Sequence, residues 1–415
     1  MTTTINNEHK KLNVPNLRFP EFQGEWKKTT IGEIATIKNG PFGSVLHAED
    51  YVDEGMPIVT TEHFKSGNLP LSKNGIPQVS EDDYCRLKGY MLETDDIVFS
   101  RVGSVDINAH VEHVQQGWLF SGRVLRVRPI KSVNSLCLHY VLSTESVKRD
   151  IRNRAVGQTM PSINTPILSN TGIYMSQSKA EQKKIANLLF LIDERIATQS
   201  KIIDKLQSLI KGLNDFLYTQ YGGEVLTSFA ELGTSYSGLS GKSAQDFGSG
   251  KPFITYLNVY SNNVIKENDF QYVAIKDDEK QNVVKYGDVL FTLSSETPEE
   301  VGVGSVYLGK EKVYLNSFCF GIHITNTEVA FPPYLSYYVS LTAFRKFIYP
   351  YAQGSTRFNL CKADFEKASI KLPTLENQKL IYSILGHIDC KIETERQLLA
   401  LYNSQKQYLL RQMFI

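Results

Sequence analysis

The sequence predicts a mixed α/β (α+β) protein with two globular domains, each followed by a long helix, and with the two helices paired as an antiparallel coiled coil. Three observations predict this fold class: a long internal repeat, heptad-like apolar spacing in two segments, and short strand-like runs in the segments that precede them. The predicted boundaries are a first globular domain at 1–178, a first helix at 179–222, a second domain at 223–374 and a second helix at 375–415. The repeat also predicts a pseudo-twofold axis.

The internal repeat is strongest where each globular segment ends. At an offset of 197 (337 − 140), six residues are identical: Tyr140 and Tyr337, Ser143 and Ser340, Ile151 and Ile348, Ala155 and Ala352, Gly157 and Gly354, Thr159 and Thr356. After a slip of one residue the helices also match, with Gln182, Leu189, Ile192, Asp193 and Ile196 returning as Gln378, Leu385, Ile388, Asp389 and Ile392. A repeat of this length is a duplicated domain and helix, and not a short-period solenoid.

Strands are expected in the segments 15–178 and 224–374, where short runs of Val, Ile, Tyr and Phe alternate with Gly, Pro, Asn and Asp. Typical runs are 96–99, 123–127 and 288–291. Short helices are expected at 135–153 and 333–349. The globular segments share less sequence with each other than the long helices do, which predicts a common helical frame and two divergent globular parts.

The two long helices carry apolar residues at alternating steps of three and four, the spacing of a coiled coil. A polar residue, Gln199 or Glu395, interrupts each seam at the matching point, and such an interruption costs stability but can fix register. The alternative is two unrelated amphipathic helices, each packed on its own domain. Gly222 and Gly223 predict the end of the first helix. The predicted seam, which also serves partner binding, consists of Leu189, Ile192, Ile196, Ile203 and Leu206 in the first helix and Leu385, Ile388, Ile392, Leu399 and Leu409 in the second.

Bulk composition favours a cytoplasmic protein of two or more domains. The chain has 415 residues, 41% of them hydrophobic, and no apolar run long enough to cross a bilayer. Its first residues are polar and lack the apolar core of a signal peptide. The five cysteines include no CxxC pair, which is typical of reduced thiols. The net charge of +1 does not decide nucleic-acid binding, because binding depends on the charge of one face.

Several short motifs resemble catalytic sites but lack a required feature. Asp246–Gly250 resembles the glycine turn that binds S-adenosylmethionine, but it follows a loop-like sequence instead of a buried strand. Phe331–Tyr334 resembles the Pro-Pro-Tyr motif of amino-methyltransferases, but Phe331 stands where an Asn or Asp oxygen would accept a hydrogen bond from the amine. Gly238–Ser243 lacks the first glycine of a phosphate-binding loop, and Asp277–Lys280 is typical of a solvated charged loop. We therefore predict no catalytic residue, cofactor site or metal site in the chain.

A basic helix end followed by a glycine loop occurs twice, before each long helix. Lys and Arg neutralise phosphates, while loop N–H groups and hydroxyls position the DNA backbone. Gln158, Gln353 and Arg357 are suited to base edges, since Gln pairs with adenine and Arg with guanine. One copy alone is better interpreted as a solvated helix end, and the repetition is what favours binding. The candidate DNA-binding residues are Lys148, Arg149, Arg152, Arg154, Gly157, Gln158 and Thr159 in the first copy, and Arg345, Lys346, Gln353, Gly354, Ser355, Thr356 and Arg357 in the second.

Three kinds of segment match one known family: a Gly-Ser-Thr loop at Gln353–Leu360, the helix starts at Glu181–Ala186, Leu191–Ile196, Leu372–Pro373, Glu376–Lys379 and Ile388–Asp389, and the N-terminal Leu17–Phe22 with Gly24–Trp26. Through these segments the sequence resembles the DNA specificity subunit of type I restriction-modification enzymes over essentially the whole chain. Two positions depart from the family pattern: the first loop has Gln158 in place of Ser, and Ser176 stands where the second half has Pro373.

The resemblance implies a non-catalytic subunit with two target-recognition domains, each of which reads one half of a bipartite target in double-stranded DNA. The helix pair is expected to set the gap between the halves and to bind two modification (methyltransferase) subunits, with restriction (translocase and endonuclease) subunits joining the larger complex. S-adenosylmethionine, ATP and Mg²⁺ are expected in those partners and not in this chain. Two alternatives stay open: a self-sufficient DNA adenine methyltransferase, and a coiled-coil scaffold that joins two protein-binding domains.

Overall fold

A computed structural model describes residues 13–41, 46–276 and 278–415. The chain divides into two compact units. Unit 1 consists of the residues up to Gln199 together with Leu398–Ile415, and unit 2 consists of Ser200–Gln397. Each unit therefore combines a globular region with one part of each long helix. The polar N-terminal residues 1–12, and Asp277 of the acidic run considered above, lie outside the described residues.

Unit 1 is built from short strands with short helices between them, followed by the first part of a long helix. The strand order is β2-β9-β6-β7 in one sheet, β3-β5-β4-β8 in another and β1-β10 in a third. The strands are β1 (Lys27–Thr30), β2 (Ala35–Asn39), β3 (Tyr51–Val52), β4 (Met56–Val59), β5 (Gln78–Val79), β6 (Ile97–Ser100), β7 (Asn108–His110), β8 (Leu119–Phe120), β9 (Val124–Pro129) and β10 (Gly172–Met175). The helices are α1 (Ile31–Ile34), α2 (Glu81–Arg86), α3 (Ser135–Leu142), α4 (Glu145–Arg154), α5 (Thr165–Ser169) and the long α6 (Lys179–Tyr221).

Unit 2 repeats this order of parts. The strand order is β12-β19-β15-β17, β14-β13-β18, β16-β21-β20 and β11-β22. The strands are β11 (Val225–Thr227), β12 (Gly233–Ser237), β13 (Phe247–Ile254), β14 (Gln271–Val273), β15 (Val289–Thr292), β16 (Ser294–Ser295), β17 (Gly304–Val306), β18 (Tyr314–Leu315), β19 (Cys319–Ile324), β20 (Ala352–Gln353), β21 (Phe358–Leu360) and β22 (Ile370–Leu372). The helices are α7 (Phe229–Leu232), α8 (Tyr256–Ser261), α9 (Pro332–Tyr338), α10 (Thr342–Ile348), α11 (Lys362–Lys367) and the long α12 (Leu375–Met413).

One four-stranded sheet, called the central sheet below, has the same plan in both units: β2-β9-β6-β7 in unit 1 and β12-β19-β15-β17 in unit 2. In unit 1, β6 pairs with β9 in an antiparallel register that places Ile97 opposite Val127. In unit 2, β15 pairs with β19 so that Val289 lies opposite Ile322. All four side chains are buried. The strands predicted at 96–99, 123–127 and 288–291 are confirmed to within two residues, because strands covered on both faces are continuous apolar runs in sequence.

The short helix predicted at 135–153 is two helices, α3 and α4. The helix is interrupted at Ser143 and Thr144, and the backbone of Thr144 is extended (φ −69°, ψ 146°). The Ser143 hydroxyl donates to the carbonyl of His139 at 2.9 Å, and the Thr144 hydroxyl donates to the carbonyl of Val141 at 2.7 Å. Such hydroxyl bonds to the backbone compete with helix propagation. The helix predicted at 333–349 is divided in the same way into α9 and α10.

The long helices begin at equivalent capped positions. The Ser178 hydroxyl accepts from the N–H of Glu181, and the Thr374 hydroxyl accepts from the N–H of Asn377, at 3.3 Å each. Helix α6 has 43 residues and α12 has 39. Helix α6 ends at Tyr221, as the glycines that follow it predict.

The two long helices run antiparallel inside unit 1. A carboxylate oxygen of Asp193 on α6 lies 2.6 Å from the Nζ of Lys406 on α12. Further along α6, Thr198 and Gln199 line a shallow recess with Tyr402, which precedes Lys406 on α12. Residue numbers therefore rise along one helix as they fall along the other. All ten predicted seam residues, from Leu189 to Leu409, are buried or half-buried.

The last turns of α12 complete the hydrophobic core of unit 1. Leu409, Leu410, Met413 and Phe414 belong to the same core cluster as Trp26 and the strands of the central sheet. The rings of Trp26 and Phe414 meet edge to face, with 6.0 Å between their centroids. Among the described residues, no helix is long and apolar enough to cross a membrane.

We expect Phe414→Ala to destabilise unit 1 by about 3 kcal/mol, because large-to-small changes of a buried Phe cost about 3–5 kcal/mol. The ring is 6% exposed, whereas the neighbouring Ile415 is 39% exposed and gives a matched control. Ile415→Ala should change the free energy of unfolding by less than about 0.5 kcal/mol. Equilibrium urea unfolding measures both, and equal losses for the two variants would contradict the packing described.

Candidate nucleic-acid interface

A hairpin with a glycine at its tip lies between α10 and α11 of unit 2. Strands β20 and β21 pair so that Gln353 lies opposite Asn359. Gly354 opens the tip with φ +145°, and a Cβ at this position would lie 2.1 Å from the carbonyl oxygen of Arg357. Only glycine fits this closure without moving the backbone. The predicted residues from Gln353 to Arg357 are all exposed at this tip.

Unit 1 has the same hairpin at the same place. Val156 and Ser162 form an antiparallel bridge, at the positions that correspond to Gln353 and Asn359 with an offset of 197 (353 − 156). Gly157 has φ +104°, and a Cβ there would lie 2.8 Å from the carbonyl oxygen of the residue three positions later, as in unit 2. The exposed tip includes Gln158 and Thr159. The departure from the Gly-Ser-Thr sequence leaves the shape intact, because closure depends on the glycine.

A ladder of backbone hydrogen bonds fixes the hairpin of unit 2 to a neighbouring turn. The N–H of Leu360 donates to the carbonyl of Leu293 at 2.8 Å. The N–H of Leu293 in turn donates to the carbonyl of Phe318 at 2.9 Å. Phe318 belongs to the turn 316–318 before β19, so the tip of the hairpin and this turn are parts of one backbone framework.

Unit 1 repeats the ladder bond for bond. The N–H of Ile163 donates to the carbonyl of Arg101 at 2.9 Å, and the N–H of Arg101 donates to the carbonyl of Arg123 at 3.0 Å. Arg123 ends the turn before β9, as Phe318 ends the turn before β19. The two residues therefore occupy equivalent places. Neither was a candidate from sequence, because the offset at this point is 195 (318 − 123) and no identical residue marks the match.

Helix α4 presents the basic residues predicted in unit 1. Arg149 is exposed and Lys148 is half-buried. Arg152 pairs with Asp106 at 2.5 Å and also with Glu145, and the hydrogen bond with Asp106 is the main cause of its raised pKa. Exposed ion pairs of this kind contribute little to stability.

Carbonyl groups of the protein hold Arg154 and Arg345. A guanidinium N–H of Arg154 donates to the carbonyl of Asn170 at 3.0 Å. Arg345 donates to three carbonyls of the loop 299–302 at 2.7 Å each, and burial lowers the pKa of its guanidinium. This geometry gives Arg345 a role in shaping the loop, whereas its neighbour Lys346 is exposed and faces no described acidic partner.

A tyrosine fastens each globular region to its part of α6 or α12. In unit 1 the Tyr140 hydroxyl donates to Asp193 at 2.8 Å. In unit 2 the Tyr337 hydroxyl donates to Asp389. Burial is the main cause of the raised pKa of both phenols, and the adjacent carboxylate raises each further. The phenols consequently stay protonated and remain hydrogen-bond donors at neutral pH.

The motifs that resemble catalytic sites have structural roles. Tyr334 of the Pro-Pro-Tyr motif is fully buried at the start of α9. Phe247–Gly250 lies within the bulged strand β13 and not in a turn before a helix. The Nζ of Lys242 donates to the carbonyl of Ala274 at 2.7 Å. Across residues 13–41, 46–276 and 278–415, no group of three His, Cys, Asp or Glu side chains is placed to hold a metal ion.

Comparison with known proteins gives one consistent result. A family model described as "Type I restriction modification DNA specificity domain" matches residues 23–208 and 233–401. The chain is 27% identical, over 94% of its length and 92% of the relative, to a putative type I restriction enzyme MjaX specificity subunit from Methanocaldococcus jannaschii.

Two solved structures share the fold. The S subunit of a type I restriction-modification system from M. genitalium is 15% identical, with a TM-score of 0.55 over 97% of this chain and 99% of that one. A structure described as the basis of complex assembly and conformational transition of the type I R-M system is 14% identical, with a TM-score of 0.56 over 93% and 96%. Since the family model matches both halves and most of the chain, the chain belongs to the family of type I restriction-modification specificity subunits, whose role is recognition of DNA sequence in type I restriction-modification complexes.

Proposed function

We propose that this chain is the non-catalytic reader of a bipartite DNA target, with each unit reading one half. The observation that carries the proposal is the duplicated hairpin, which presents an exposed glycine tip from the same backbone framework in both units. Basic residues on α4 and α10 lie directly before each hairpin in the chain. Lys and Arg beside exposed N–H and hydroxyl groups suit contact with the DNA backbone.

The proposal extends to the partners. The pair of helices α6 and α12 would bind two modification subunits, and restriction subunits would join the complex. S-adenosylmethionine, ATP and Mg²⁺ would act in those subunits and not in this chain. The self-sufficient methyltransferase loses its motivation because Tyr334, the aromatic residue of its proposed motif, is fully buried. Titration of the isolated chain with S-adenosylmethionine tests this part, and saturable binding would overturn it.

Footprinting of the chain assembled with its modification subunits tests the bipartite target. We expect two protected blocks separated by a segment whose sequence does not affect affinity, because two units with divergent globular parts each contact one block. One continuous specific block, or no sequence-dependent protection, would contradict the proposal.

The salt dependence of DNA binding tests the phosphate contacts. Arg149→Ala and Lys346→Ala should each lower the slope of log affinity against log salt by about one, since each removes one neutralised phosphate. The loss of affinity should be similar for every DNA sequence, because phosphates carry no sequence information. A change confined to one sequence position would show that these residues contact bases instead.

Gly354→Ala tests the hairpin tip. The added Cβ would lie too close to the carbonyl oxygen of Arg357, and residues other than glycine rarely adopt a φ of +145°. We expect DNA affinity to fall by about tenfold or more, since such strain costs about 1–3 kcal/mol. Gly212→Ala on α6 is the matched control, because its added Cβ would meet no atom within 4 Å apart from its chain neighbours and the backbone of its own helix. Equal affinity of the two variants would place the DNA contact elsewhere.

A further inference from the structure

The turn beside each hairpin carries an exposed side chain, and in unit 2 this side chain lies next to the tip. In unit 2 the turn residue is Phe318, 56% exposed, and the tip residue is Arg357. In unit 1 the turn residue is Arg123, and the tip residue at the position of Arg357 is Met160, 63% exposed. Each unit thus offers one arginine and one large apolar side chain at two equivalent positions, with the two residue types exchanged.

In unit 2 the two side chains touch. The guanidinium carbon of Arg357 lies 5.8 Å from the centre of the Phe318 ring, within the range of a cation–π contact. The ring does not close the core of the unit, because more than half of its surface is exposed. The contact restricts the rotamers of a long flexible side chain, and a side chain ordered before binding loses less entropy when it binds.

In unit 1 Arg123 lines a recess of about 460 Å³ together with Tyr51, Glu62 and Ser121. Arg123 lies close enough to lower the pKa of Glu62, although Lys65 is the main cause of that shift through a hydrogen bond. Glu62 is paired with Lys65, and no acceptor among the described residues forms a hydrogen bond with the guanidinium of Arg123. The turn arginine of unit 1 and the tip arginine of unit 2 both face outward.

The chemistry of this pair matches the edges of base pairs. An arginine donates two parallel hydrogen bonds to the O6 and N7 atoms of guanine in the major groove. An apolar side chain contacts the methyl group of thymine, which no other base carries. A surface that only neutralised phosphates would gain nothing from an exposed Phe or Met, because these residues carry no charge.

We propose that Arg357 and Arg123 each read a guanine in their half of the target, and that Phe318 is the positioning residue that orients Arg357. This inference rests on the proposed function and assigns specificity to residues within it. Both units then read guanine with an arginine, but from different places: the tip of the hairpin in unit 2 and the neighbouring turn in unit 1. The half-sites then both contain a G·C pair, placed differently relative to the hairpin.

The experiment is selection from a library of random duplexes by the full chain in complex with its modification subunits. For Arg357→Ala we expect the preference for G·C at one position of one half-site to fall by roughly tenfold or more, since a bidentate pair discriminates by about 1–3 kcal/mol. The other half-site should be unchanged. Arg123→Ala should lower the preference for G·C in the same way at one position of the other half-site. Lys346→Ala removes the same charge, but it should lower the affinity for every sequence alike and leave the base preference at each position unchanged.

Variants of Phe318 separate positioning from packing. Phe318→Trp keeps a π face and should preserve the guanine preference, whereas Phe318→Leu keeps an apolar side chain and should reduce it, with thermal unfolding of both close to that of the parent chain. Equal preference in the Leu variant would overturn the role of Phe318. An unchanged preference in Arg357→Ala, while the parent chain still selects a bipartite site, would overturn the inference and leave the proposed function standing. A parent chain that selects no sequence would instead overturn the proposed function.

Discussion

The rest of the structure depends on the packing of α6 against α12, which run antiparallel in unit 1. Neither helix can bury its apolar seam alone, because a single amphipathic helix needs a partner for that face. In unit 1 the partner comes from the far end of the chain, so that Leu409, Leu410 and Met413 close the same core as the central sheet. The ion pair of Asp193 with Lys406 joins the two helices at the edge of this contact. The units are consequently discontinuous in sequence.

One attachment of the globular region to the long helices is repeated in both units. Tyr140 and Tyr337 reach the helix carboxylates of Asp193 and Asp389 from equivalent positions. From there the chain passes through a short helix into the hairpin. Its tip requires glycine, because a Cβ at that position would collide with a backbone carbonyl oxygen. The frame therefore fixes where each tip lies within its unit, while the side chains on the tip and on the neighbouring turn remain open to variation.

The sequence predicted the fold class, the strands and both long helices because these follow from periodicity and from the repeat. It also located the glycine loop at the tip of each hairpin, since the two glycines stand at a fixed offset, but it did not predict the hairpins themselves. What it missed depends on contacts between distant segments. The ladder from Ile163 through Arg101 to Arg123 joins three parts of the chain with no common pattern. Likewise, nothing in the basic pair Arg345-Lys346 indicates that the first residue donates to the loop 299–302 while the second remains exposed.

On the proposed function, the two units read two separate halves of one target. Mapping of the methylated positions in DNA from cells that carry this chain and its partner subunits tests it most directly. The expected result is one motif with two specified blocks, separated by a gap of fixed length and unspecified sequence, and methylated within those blocks. A single continuous motif, or methylation without a shared motif, would contradict it.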